Sequence, residues 1–524
     1  MKRLVLTTAA MSLGLGSLAL AVPAGAQGTS VAAIAKDGVA WAKCPPGNPY
    51  LAKAECAQVQ VPLDYSKPTG KKISVAISRV KHTAPASQYK GVLFGNPGGP
   101  GGSGLYLSGG LAGWLAPEVA AKYDIIGFDP RGVGDSKPAL TCDPHYSDPV
   151  RPDYVPGSAR EEAAWVAKSA KYARDCGTKF GWLLPHLRTT DVARDLDGIR
   201  AALGQSKLSY YGFSYGTYLG ATYSTLFPKR VGRMVLDGNV DVRGVWYDAQ
   251  LDQDKAFERN IKLYFAWVAE YDSVYHLGTT GAAVEKNYYT LLAKVKKAPL
   301  AGKVGPAELT DMMLNAGYTV AWYERQAEAL ADEIGNGRSD KLVALYDDYI
   351  ASSDDNSFAV YLGVQAVDAT WPRDWRTWHR DAVKLYNAGI KFETWGNVWF
   401  NAPIASWPVK GGPALKINGK GMAPALLVQS TLDAATPYPG GVEMHKLLPS
   451  RLIAEIGGKT HANTLNGNAC LDDKVNAYLN TGALPADRPG GGPDATCAAQ
   501  PDPNPAGART MATSPRSDVI LGRP

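Results

Sequence analysis

One run constrains what this chain can become: Leu208-Ser209-Tyr210-Tyr211-Gly212-Phe213-Ser214-Tyr215-Gly216-Thr217-Tyr218-Leu219-Gly220, a β-type stretch that passes through Gly-x-Ser-x-Gly into a helix-compatible segment. A serine presented at the top of a strand sits in a sharp, strained turn, so the residues two away on either side must be small. Gly212 and Gly216 meet that demand, and Gly220 lets the following helix pack close to the sheet. In a chain with 56 glycines this five-residue pattern also arises by chance. Its weight comes from the strand before it and from the acid and histidine that follow.

The flanking sequence alternates strands with helices. Val59–Tyr65 and Lys72–Val80 alternate polar and apolar residues and are expected as the first strands. Gly91–Gly95 and Tyr123–Asp129 are more continuously apolar, as central strands are, and Arg233–Gly238 follows the elbow. Thr190 opens a helix with Val192, Leu196, Ile199 and Leu203 on one face, ended by Gly204. The expected class is therefore α/β with a mainly parallel sheet. From residue 242 to 416 the pattern turns helical and aromatic, which predicts a helical cap inserted over the carboxyl edge of the sheet. Alternation resumes with Pro424–Ser430 and Arg451–Ile456. The division is residues 27–241 as the first part of the core, 242–416 as the cap, 417–483 as the second part, and 484–524 as an irregular tail rich in Pro, Gly and Ala.

A serine hydroxyl becomes a nucleophile only when a base takes its proton, and that base needs an orienting acid. Of the histidines after Ser214, His276 and His379 fall in the cap and His445 in a helix-like segment; only His461 follows a strand in a loop. The matching acid is Asp433, in the loop after Pro424–Ser430, with Asp237 and Asp241 as competitors. Backbone donors for an oxyanion are expected from Tyr215 and from the glycine run Pro97–Gly104, with Gly99 preferred and Gly98 next. That run lacks the Lys-Ser/Thr of a phosphate-binding loop.

Taken together, Asn96-Pro97-Gly98-Gly99-Pro100-Gly101-Gly102-Ser103-Gly104, Asp129-Pro130-Arg131-Gly132-Val133-Gly134-Asp135-Ser136, Gly212-Phe213-Ser214-Tyr215-Gly216, and Asp433 with His461 resemble the secreted bacterial tripeptidyl aminopeptidases, among the prolyl-iminopeptidase-like α/β-hydrolases. The resemblance covers nearly all of the mature chain. It implies a cofactor-independent serine peptidase that removes short peptides from free N-termini beneath the cap. A carboxylate of the cap should then meet the substrate ammonium, and Asp368 and Glu324 are the candidates. Trp322, Tyr323, Trp371, Trp375 and Trp378 supply either pocket lining or, their more ordinary role, the cap's own core. An esterase or amidase acting on small molecules would use the same triad.

Met1-Lys2-Arg3, the apolar run Leu4–Val22 and Ala24-Gly25-Ala26 have the three regions of a secretory signal peptide, so residues 1–26 are expected to be removed and the protein exported. In that compartment six cysteines are expected as disulfides. Several connectivities are open, and proximity favours Cys44–Cys56, Cys142–Cys176 and Cys470–Cys497. No cysteine spacing suggests zinc, so no metal is expected. A net charge of +6 spread over 524 residues, without a basic cluster, argues against nucleic acid as a partner. No other run is long enough to span a bilayer. The oligomeric state is left open.

Overall fold

The computed structural model describes residues 38–352 and 354–506, so the expected signal peptide lies outside the described residues. Ten strands form a single sheet: β1 (Ala42–Lys43), β2 (Glu55–Pro62), β3 (Lys72–Val80), β4 (Val92–Asn96), β5 (Asp124–Phe128), β6 (Leu208–Phe213), β7 (Val231–Asp237), β8 (Ala425–Ser430), β9 (Ser450–Ile456) and β10 (Ala495–Ala498). Their order is β1-β2-β3-β5-β4-β6-β7-β8-β9-β10. The β1/β2, β2/β3 and β3/β5 pairs are antiparallel, and all later pairs are parallel.

Alternate side chains of the central strands serve two cores. Val92, Phe94, Tyr210, Met234, Leu236 and Leu427 face one way. Leu93, Tyr211, Phe213, Val235, Leu426 and Val428 face the other. A sheet buried on both faces reads as continuous apolar strands, which is how β4, β6 and β8 read in the sequence.

The elements between β7 and β8 are helical. In two places a helix stops and another follows shortly after it: Pro306–Tyr318 is followed by Tyr323–Asn336, and Asp355–Asp368 by Trp375–Asn387. Pro372 explains the second break, since its ring cannot continue a helix. The cap has its own apolar core, which also takes in Ala434 and Ala435 beside Asp433. Trp371 and Trp378 stack at 5.6 Å and Trp375 and Trp399 at 4.9 Å, so these tryptophans pack on one another. The tail differs from expectation: its segment Ala495–Ala498 pairs in parallel with β9 as the edge strand β10. Cys470–Cys497 ties that strand to the helix Ala469–Thr481, and Cys44–Cys56 and Cys142–Cys176 are the other disulfides.

The Asp129–Ser136 loop is built around two buried charges. Asp129 accepts from Ser103 Oγ (2.7 Å) and the N–H groups of Gly104 (2.9 Å) and Asp135 (2.8 Å), pinning the end of the glycine run to its neighbour loop. Arg131, wholly buried, donates to both carboxylate oxygens of Asp195 at 2.7 and 2.6 Å and to the carbonyls of Pro62, Leu63 and His186. Breaking a buried pair from one side strands the other charge, at a cost of about 3–5 kcal/mol. Asp195→Ala is therefore expected to lower the unfolding free energy by that amount, seen as a lower denaturant midpoint with the slope unchanged; a loss below about 1 kcal/mol would mean that the three carbonyls hold Arg131 without the carboxylate.

Candidate active site

Ser214 follows β6 directly and adopts φ 55° and ψ −127°, a conformation a side chain rarely takes. The turn is held by Ser214 N–H to Asp237 O (3.0 Å) and by Thr217 N–H and Oγ1 to Ser214 O (2.8 and 2.7 Å). The two elbow glycines are required by close approach: a Cβ on Gly212 would stand 2.5 Å from Gly216 O, and one on Gly216 2.9 Å from Asn96 O. The helix Tyr215–Leu226 starts at the next residue.

The glycine run crosses directly over this turn. A Cβ on Gly98 would lie 2.6 Å from Phe213 O, 2.8 Å from Ser214 Cβ and 3.1 Å from Tyr215 N. Gly98 and Gly99 both have positive φ, 99° and 106°, which aims successive N–H groups in directions a side-chain residue would not allow. Gly98 N–H is engaged by Asn96 Oδ1 at 3.1 Å, whereas Gly99 faces the cavity described below.

Asp433 and His461 meet as a buried pair, Nδ1 to Oδ2 at 2.8 Å. The carboxylate also accepts from Thr436 N–H through Oδ1 (2.9 Å) and from Thr436 Oγ1 through Oδ2 (2.9 Å), so its orientation is held on three sides. Thr436 Oγ1 lies 3.3 Å from the same imidazole nitrogen. The ring rests edge-on against Tyr318, whose carbonyl accepts His461 N–H at 2.7 Å. A Cβ on Gly238, the residue after the Asp237 that holds Ser214, would stand 3.0 Å from His461 Cε1. That places the imidazole beside the elbow.

The loops carrying the acid and the histidine are tied together. Glu455, fully buried, accepts from Ser430 Oγ (2.6 Å) on one side and from Asn463 and Asn468 Nδ2 (2.8 Å each) on the other. Asp237, one of the competing acids, accepts instead from Thr464 N–H and Oγ1 at 2.8 and 2.6 Å and so anchors the histidine loop. Asp241, the other, is paired with Arg243. The cap reaches down as well: Arg259 Nη2 and Asn260 Nδ2 donate to Leu432 O at 2.7 and 2.9 Å.

Over these groups lies a cavity of about 370 Å³, lined by Pro97, Gly99, Ser214 and Tyr215 from the core and by residues including Gln250, Arg259, Tyr318 and Tyr361 from the cap. Neither carboxylate expected to receive an ammonium lines it. Glu324 sits in the first turn of the helix Tyr323–Asn336. Asp368 is buried at the end of its helix, accepting from Thr189 N–H (2.7 Å) and Thr189 Oγ1 (2.5 Å). The reason is local: Thr189 opens the helix Thr189–Ala202, and a carboxylate is favoured at such an N-terminus. Thr189 Oγ1 in turn contacts Tyr215 OH at 2.7 Å, so Asp368 supports the elbow from behind. None of Trp322, Tyr323, Trp371, Trp375 or Trp378 lines the cavity.

Burial pushes the Asp368 carboxyl up to about 7, against the lowering effect of its Thr189 hydrogen bonds. An unfolded aspartate titrates near ~3.9, so between these values the folded form binds the proton more tightly. The sign follows: this group's contribution is fully present below about pH 4 and falls away as pH rises towards about 7. Asp368→Asn should flatten the fall in denaturant midpoint between pH 5 and pH 7.5; an identical slope in both proteins would place the titration elsewhere.

Sequence reasoning did not single out Thr436, Tyr318, Arg259, Gln250 or Glu455. Thr436 had a signal, lying three residues after Asp433 in the same loop; the others are brought in by tertiary packing.

Comparison with known proteins agrees with this architecture. A family model described as alpha/beta hydrolase fold matches residues 91–463. The tripeptidyl aminopeptidase of Streptomyces coelicolor is 43% identical over 494 residues, spanning 92% of this chain and 90% of that protein. The serine protease Hip1 of Mycobacterium tuberculosis is 32% identical, spanning 85% of this chain and 89% of that protein. Carboxylesterase B of the same species is 32% identical over 92% of this chain and 98% of that protein. With the elbow, the buried acid–histidine pair and the mainly parallel sheet assembled as described, the chain belongs to the α/β hydrolase fold family and is a serine hydrolase.

Proposed function

We propose that this protein is an exported serine exopeptidase that releases tripeptides or similar short peptides from free N-termini through an acyl-enzyme. Ser214 Oγ attacks the scissile carbonyl carbon as His461 Nε2 takes its proton, and Asp433 holds the imidazole in the tautomer that leaves Nε2 able to accept. The tetrahedral oxyanion is met by the N–H groups of Tyr215 and Gly99, the neighbouring Gly98 N–H being engaged by Asn96. As the C–N bond breaks, His461 returns the proton to the departing amine. Water then attacks the acyl-enzyme by the same route, with the proton passing back through His461 to Ser214. The chemistry asks for no metal or cofactor.

The observation that carries this reading is the buried Asp433–His461 pair beside a strained Ser214, at the base of a cavity roofed by helices. A roofed cavity admits a chain end more readily than a chain's middle, which favours an exopeptidase, and the name of the Streptomyces relative points the same way. Export is supported by the signal-like N-terminus and by three disulfides, which persist in oxidising compartments. Among the described residues no helix is long and apolar enough to cross a membrane.

The name of the mycobacterial carboxylesterase relative favours a second reading, in which the same serine acts on small esters. Hydrolysis of a chromogenic tripeptide anilide, its N-acetylated twin and a short-chain nitrophenyl ester by the purified protein separates the two. Cleavage of the free-amine anilide, with at least tenfold discrimination against the acetylated twin, is the expected result. Cleavage of the ester with both peptides left intact would replace the peptidase reading with the esterase one.

A further inference from the structure

The roof of the cavity holds a polar group that the catalytic scheme does not use. Gln250, on the first long cap helix Tyr247–Glu270, is 8% exposed and lines the cavity. Its Oε1 is buried and has no hydrogen-bond partner among the described residues. A buried acceptor without a partner loses its hydration with nothing in return, so such groups call for a reason.

The orientation of that amide is set by its neighbours rather than chosen. Asn397 Nδ2 donates to the main-chain carbonyl of Gln250 at 3.1 Å and to Asp254 Oδ1 at 2.9 Å. A main-chain carbonyl only accepts, so this nitrogen and its partner oxygen cannot be exchanged. Asn401 Nδ2 donates to the Asn397 carbonyl at 2.9 Å and to Asn397 Oδ1 at 3.1 Å, which fixes Asn401 in the same way. Asn401 Oδ1 therefore accepts from Tyr361 OH at 3.2 Å. The phenol oxygen, having spent its hydrogen, accepts from Gln250 Nε2 at 3.1 Å, while Gln365 Oε1 accepts from the same nitrogen at 3.2 Å. Both Gln250 amide hydrogens are used, and its Oε1 is left as an unpaired acceptor on a residue that lines the cavity.

Its position says what part of a substrate it meets. Arg259 stands nine residues further along the same helix, about 13 Å at helical rise, over the loop that carries Asp433. That is the side from which His461 delivers a proton to the leaving amine. Gln250 stands nearer the start of that helix, against Tyr361, whose main-chain nitrogen would lie 3.2 Å from a Cβ on Gly101 of the glycine run. The proposed oxyanion donor Gly99 belongs to that run, which in the proposed scheme puts Gln250 towards the acyl portion of the substrate.

We propose that Gln250 Oε1 is a specificity-determining acceptor for an N–H donor on the acyl portion of a peptide substrate, a group that simple esters lack. The assignment rests on the peptidase reading above. Two parts of a peptide supply this chemistry, the terminal ammonium and an internal amide N–H, and removing each in turn separates them.

The test compares the parent with Gln250→Met, which keeps the length and loses the acceptor, and Gln250→Glu, which keeps shape and acceptor while exchanging the Nε2 donor for an oxygen. The substrates are a tripeptide anilide, its des-amino twin with hydrogen in place of the terminal amino group, its analogues methylated at each internal amide nitrogen, and nitrophenyl butyrate. In Gln250→Met the ratio of kcat/KM for the peptide to that for the ester should fall at least tenfold, mainly through KM, whereas Gln250→Glu should hold it within a few-fold. The loss should vanish on the one analogue that already lacks the donor: the des-amino twin for the ammonium, a methylated analogue for an amide. Equal losses on every substrate, or equal losses of the ratio in both variants, would reduce Gln250 to a packing residue and overturn the assignment while the peptidase reading stands. A parent protein that cleaves the ester and no peptide removes both together.

Discussion

Ser214→Ala is expected to lower kcat/KM on a tripeptide anilide by on the order of 10⁵–10⁶ with little change in KM, and to abolish labelling by a fluorophosphonate. The size of the effect follows from the division of labour: without the hydroxyl there is no acyl-enzyme, and only substrate positioning and the oxyanion donors remain. The proposed donors are main-chain groups of Tyr215 and the glycine run, held by the Asn96 and Asp129 contacts, so the substitution leaves them in place. Residual activity within about a hundredfold of the parent would mean that another residue supplies the nucleophile. Active-site titration against total protein checks this directly.

Asp433→Asn is expected to cost about 10⁴ in kcat while the fold is retained. The mechanism is a tautomer reversal. Oδ1 of Asp433 accepts the main-chain N–H of Thr436, a pure donor, so an asparagine there must keep its carbonyl oxygen on that side. Its NH₂ group then replaces Oδ2 and faces His461 Nδ1, which has to become the acceptor. The ring's proton moves to Nε2, the atom that must accept the Ser214 proton, and the base is lost. Unchanged circular dichroism with a loss of this size is the expected pair of results; a loss below about tenfold would remove Asp433 from the reaction.

What could be read from the sequence, and what could not, divides along physical lines. Local rules carried the elbow, because Gly212 and Gly216 are demanded by contacts within a few residues of the serine. Chain order carried Asp433 and His461, since each sits in the loop after a strand recognisable by its apolar run. Proximity carried the three disulfides. The edge strand β10 was not legible because it is short and borrows its pairing from β9. The cap carboxylates failed for a related reason: Asp368 looks like any cap acid until the N-terminus of the helix Thr189–Ala202 is brought against it. Gln250 was equally hidden, because its chemistry depends on a relay through Asn397, Asn401 and Tyr361 that only the packed cap assembles.

The central claim is that the cavity takes a free chain end and cuts after a short fixed length. Incubating the purified protein with an unmodified decapeptide and following the products by mass spectrometry over time tests it most directly. A tripeptide and the complementary heptapeptide are expected first, then further shortening in steps of three from the amino end. Single-residue steps, internal cuts, or equal cleavage of the N-acetylated decapeptide would contradict it.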